Sequence, residues 1–88
     1  MRMPEVSRFY GIVIRIFFGD HPPPHFHAVY GEHTAKVDIN TLGVFEGRLP
    51  ARAAGLVIEW ATLHQAELLE AFERASNLQR PGKIDPLP

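Results

Sequence analysis

At Leu49-Pro50 the spacing of the apolar residues changes, and that change limits the chain to a fold built from two unlike halves. Before it the apolar residues alternate, the period of a strand with one buried face; after it they recur at three and four, the period of an amphipathic helix. The triplet Pro22-Pro23-Pro24 divides the first half again. Each ring fixes φ and removes a backbone donor, so the run excludes a helix or a central strand and reads as an extended surface connection.

Ser7 to Phe18 is rich in β-branched and aromatic residues and reads as one strand, with Tyr10, Ile12, Ile14, Ile16 and Phe18 on its core face and Gly11 where another segment comes close. His25 to Tyr30 is the second strand. Gly31-Glu32 turns into a third, His33 to Ile39, with Ala35, Val37 and Ile39 inward and Lys36 and Asp38 outward. Asn40 to Gly43 is a further turn before a short strand at Val44-Phe45-Glu46. Pro50 suits a first helical turn, and from Ala51 to about Ser76 no proline interrupts a wide apolar stripe that includes Val57, Trp60, Leu63, Leu68, Leu69 and Phe72. Glu59, Glu67, Glu70, Glu73 and Arg74 form its solvated side. The expected fold is α+β: an antiparallel meander of about four strands, then one long amphipathic helix packed on the sheet, then an irregular tail. Residues 1–80 read as a single domain and residues 81–88 as a Pro-rich tail, with Ile84 docked.

A chain of 88 residues supports one core rather than two. Nine basic against ten acidic residues leave a net charge of −1, so no global positive field draws the protein to nucleic acid or to an anionic membrane, and any such binding rests on a local patch. Cysteine is absent, which excludes disulfides and thiolate zinc sites. No apolar run has the length of a signal peptide or a bilayer span, so the expected location is the cytoplasm.

Three of the five histidines crowd around the prolines, at His21, His25 and His27. On a strand, His25 and His27 share a face, about 7 Å apart along it. Their ordinary pKa suits proton transfer at neutral pH, which makes them the candidate catalytic pair. The same pair can begin a metal site, with His21, His33 or Asp20 completing it; His21, His25 and His27 are the ligand set if a metal is bound, and no cofactor is otherwise expected. Arg48 and Arg52 bracket the helix start, where the macrodipole is already positive, and an anion would relieve that conflict. Together with Arg15 they form the candidate phosphate-binding set. His64 reads as a packed helix residue, and Phe9-Tyr10-Gly11 as core rather than a base-stacking platform.

Ser7-Arg8-Phe9-Tyr10-Gly11-Ile12, Asp20-His21 through Pro24-His25-Phe26-His27-Ala28, and the Leu49-Pro50 helix with Glu59-Trp60-Ala61 and His64-Gln65 together resemble the small bacterial proteins grouped as "domain of unknown function 4160". The resemblance implies a partner, a small antitoxin-like DNA-binding protein encoded nearby, and a place among the toxins of type II toxin–antitoxin modules. It implies no established catalytic residue. The leading expectation is a toxin-like protein acting on RNA. The alternatives are a non-catalytic module that binds a partner through its histidine and aromatic face or a sheet edge, and a histidine-based metal-binding protein. A sheet covered on one side leaves Val13, Phe17 and Val29 for a second copy of the chain, so a homodimer is expected.

Overall fold

A computed structural model of the chain describes residues 4–88. Five strands, β1 (Glu5–Phe9), β2 (Ile12–Arg15), β3 (His25–Tyr30), β4 (His33–Asp38) and β5 (Val44–Gly47), form one antiparallel sheet in chain order. Two helices follow, α1 (Ala51–Leu63) and α2 (Gln65–Ser76). The fold is α+β, with one strand and one helix more than the sequence reading expects.

The extra strand arises at Tyr10-Gly11. Both residues have positive φ, 50° and 81°. Two positive φ values in a two-residue loop make the turn whose twist matches a hairpin, and it folds Phe9 back against Ile12. The expected single strand from Ser7 to Phe18 is therefore two. Tyr10 is the turn's tip and is 59% exposed, not core, whereas Phe9 is buried. Gly11 is there for its backbone conformation, since an added Cβ would meet only the ring of Tyr30 at ordinary contact distance. The expected β3–β4 hairpin through Gly31-Glu32 is present, and Ala35, Val37 and Ile39 are buried.

Ile12, Ile14, Phe26, Ala28 and Val37 stand on the sheet face that meets the helices. Ala53, Val57, Trp60 and Ala61 of α1 and Leu68, Ala71, Phe72 and Ala75 of α2 close the core, with Trp60 held between Phe9 and Phe26 at ring centroid distances of 5.2 and 5.8 Å. The expected long helix breaks at His64, whose backbone (φ −121°, ψ 22°) is not helical. Gln65 Nε2 donates to the carbonyls of Ile39 and Asn40, which ties the start of α2 to the end of β4 at this break. As a result Leu63, expected in the buried stripe, is 63% exposed.

Residues 77–88 contain no helix or strand, yet Pro81, Ile84 and Leu87 are buried. The Ile84 N–H donates to the Val6 carbonyl, the Trp60 indole N–H to the Asp85 carbonyl, and the Tyr10 hydroxyl to the Pro88 carbonyl. No helix among the described residues is long and apolar enough to cross a membrane.

A candidate His-Asp centre

The sheet face that carries Val13, His27 and Val29 holds the chemistry, and at its end the His25 ring meets Phe72 of α2 with centroids 5.6 Å apart. Register puts Glu5, Arg15, His27, Lys36 and Glu46 in one row across all five strands. Neighbouring strands lie about 4.8 Å apart, so Arg15 and Lys36 flank His27 directly. Lys36 also pairs with Glu46 at 3.2 Å. Phe17 stacks on the His27 ring with centroids 4.0 Å apart, and Phe45 meets the His25 ring edge-on at 5.5 Å.

The loop between β2 and β3 folds back so that Asp20 reaches both imidazoles. Its Oδ2 lies 2.9 Å from His25 Nε2 and 3.2 Å from His27 Nε2. Three contacts hold the loop there. Gly19 N–H donates to the Ala75 carbonyl at the end of α2, the Ser76 hydroxyl donates to the Asp20 carbonyl, and Ile39 N–H donates to the Pro24 carbonyl. The proline run is thus a spacer pinned at both ends, and Pro22-Pro23 is a cis peptide.

The two rings differ in their surroundings. His25 is buried, and its Nδ1 lies 2.7 Å from the Pro23 carbonyl. A carbonyl oxygen only accepts, so that nitrogen carries the proton. Its Nε2 faces Asp20 but makes no hydrogen bond to it, and is buried with no partner in the structure. His27 is more open and does hydrogen-bond Asp20. Burial lowers the His27 pKa below its ordinary 6.5, with the fields of His25 and Lys36 adding to the effect and Asp20 opposing it. Burial alone would raise Asp20, but the His27 hydrogen bond, the field of His25 and the His21 backbone N–H outweigh it and hold the carboxyl below its ordinary 3.8.

Of the expected site residues, His25 and His27 come together with Arg15 beside them. His21 is exposed, and its contribution is a backbone N–H to Asp20 Oδ1. Asp20, not His21, brings a third donor atom to within 4.8 Å of the two ring nitrogens. His33 pairs with Tyr30 at the other end of β3, about 17 Å away along the strand. Arg48 and Arg52 also lie toward that end: Arg48 N–H donates to the Thr34 carbonyl, and Arg52 lines a surface pocket with Tyr10, Tyr30 and Leu56. Helix α1 has no side-chain cap and no acidic residue in its first turn. The flanking Lys36 and the ring walls Phe17 and Phe45 are site residues that sequence reasoning missed. Lys36 was visible as an outward position of β4, but only pairing decides that it faces His27.

The model of a protein family described as "domain of unknown function (DUF4160)" matches residues 11–73. The chain belongs to this family. The DUF4160 match spans β2 through most of α2 and so includes Asp20, His25 and His27. No curated relative and no solved structure matches the chain.

Proposed function

We propose that this DUF4160 protein is the toxin-like component of a type II toxin–antitoxin module and acts on RNA, with His25 and His27 as proton-transfer groups, Asp20 as the carboxylate that holds the His27 ring and the Pro23 carbonyl as the group that holds His25. The observation that carries this reading is the row in which Arg15 and Lys36 flank His27 beside Asp20. Cations next to an acid–base group suit a phosphodiester, whose charge they offset while the proton moves. With its Nε2–H directed at Asp20, His27 keeps a lone pair on Nδ1 to accept a proton from an attacking hydroxyl. Arg48 and Arg52 stand apart from this site, Arg52 in the first turn of α1 beside Tyr10, Tyr30 and Leu56, and would serve only as a separate phosphate contact. Induction of the protein in a bacterial host is expected to arrest growth, and co-expression of the neighbouring antitoxin-like protein to relieve it. The double variant His25→Ala/His27→Ala, with folding verified by circular dichroism, is expected to lose the arrest. Arrest that persists in it removes the histidines from the mechanism.

A second reading is favoured by β5. This edge strand is exposed at all four residues, with Phe45 at 49%, and has a free side on which another chain could pair. In that reading the protein binds its partner without turnover, and Phe45→Lys weakens the complex while growth is normal throughout. A homodimer through Val13, Phe17 and Val29 would cover the same face as the His-Asp centre. Light scattering that returns the monomer mass at micromolar concentration removes it.

A further inference from the structure

The His25 ring is held in an arrangement that its protein neighbours do not satisfy. Its Nδ1–H is committed to the Pro23 carbonyl, which leaves a lone pair on Nε2 in the neutral ring. That lone pair is buried, has no hydrogen-bond partner, and confronts a carboxylate oxygen at 2.9 Å. Two acceptors so close repel unless positive charge lies between them. The second ring nitrogen, of His27, lies 3.2 Å from the same oxygen.

We infer that Asp20 Oδ2, His25 Nε2 and His27 Nε2 form a binding site for a divalent transition-metal ion of the zinc class. Ligand atoms at zinc-to-nitrogen and zinc-to-oxygen bond lengths are about 2.9 Å apart at a right angle and about 3.3 Å apart at a tetrahedral angle. The two edges to Asp20 Oδ2, 2.9 and 3.2 Å, have those lengths. All three atoms lie within 4.8 Å of one another. Two imidazoles and one carboxylate suit a borderline divalent cation rather than calcium or magnesium. The Pro23 carbonyl on His25 Nδ1 is the outer contact that fixes a ligating imidazole in its tautomer and orientation. His27 takes up the same tautomer by moving its ring proton to Nδ1. Three protein ligands leave a coordination position for water or substrate on the side walled by Phe17 and Phe45.

This inference deepens the proposed function and rests on it only for the consequence that, with an ion held by Asp20, His25 and His27, the ion would offset the charge of the phosphodiester and the two imidazoles would act as its ligands in place of proton-transfer groups. Metal binding itself is measured without activity. The full chain, with any histidine tag removed, is titrated with Zn2+ by calorimetry and with Co2+ by visible absorption. One ion per chain is expected, with Co2+ bands of low coordination number. Asp20→Asn and His27→Ala, both checked for folding, are each expected to weaken Zn2+ binding at least about tenfold. His64→Ala, whose ring meets Glu67 and Trp60 and no group of the centre, is likewise checked for folding and is expected to leave it unchanged. Absence of saturable binding overturns the site, as does full affinity in both Asp20→Asn and His27→Ala, which would place the ion on other histidines. Growth arrest by a chain that binds no metal overturns the metal centre alone. Zinc bound one to one with no growth arrest leaves the centre standing and overturns the toxin reading.

Discussion

Burial lowers the His27 pKa, so the unfolded chain takes up a proton at this ring before the folded chain does. The ring's contribution to stability is complete above its ordinary 6.5 and is lost as the pH falls through the folded-state value. Asp20, also lowered, adds a second loss below its ordinary 3.8. Urea midpoints should therefore drop between neutral pH and about pH 5, and His27→Gln should flatten that slope. Two glycines give opposite outcomes on the same assay. A Cβ at Gly47, whose φ is 76°, would collide with the backbone of Thr34 and Ala35, so Gly47→Ala is expected to cost more than about 2 kcal/mol. Gly55 lies exposed within α1 with nothing near an added Cβ, so Gly55→Ala is expected to stabilise by about 0.5–1 kcal/mol.

The elements owe their ends to contacts of different range. Asn77 closes α2 locally, its backbone N–H reaching the Glu73 and Arg74 carbonyls, and the residue type announces this. The break at His64 is a tertiary matter. Nothing in the apolar spacing marks it, and the helix pattern runs through it, but Gln65 must meet the end of β4. At the new helix start the His64 and Glu67 side chains pair, with Nδ1 and Oε1 2.6 Å apart, and no side chain caps the backbone. Gln65→Ala leaves the Ile39 and Asn40 carbonyls without this donor, and thermal unfolding should report a loss of about 1–2 kcal/mol. The Tyr10-Gly11 hairpin escaped the sequence reading for a related reason. Its first central residue is a tyrosine at positive φ, which a non-glycine side chain adopts only when the flanking strands hold it there.

Across the whole molecule, the last residues belong to the packed structure. Ile84 and Leu87 are 6% and 7% exposed, and the Trp60 indole depends on the Asp85 carbonyl. Removing residues 84–88 withdraws two buried side chains worth about 1.5–3 kcal/mol each and bares the indole. A small domain has about 5–15 kcal/mol in total, so the truncated chain should show a large fall in melting temperature and a red-shifted Trp60 emission.

Sequence alone determined the fold class, an antiparallel meander from β3 onward, the buried face of β4 and the His25-His27 pair, because each follows from side-chain period and from proline and glycine over short stretches. Tertiary structure decided which groups meet. Asp20 joins the imidazoles because the ends of α2 and β4 anchor its loop. Arg15 and Lys36 flank His27 because register aligns three strands, whereas Arg48 is placed by its bond to the Thr34 carbonyl and Arg52 by the start of α1. Distances between residues far apart in the chain depend on loop closure and strand register, which no local spacing encodes.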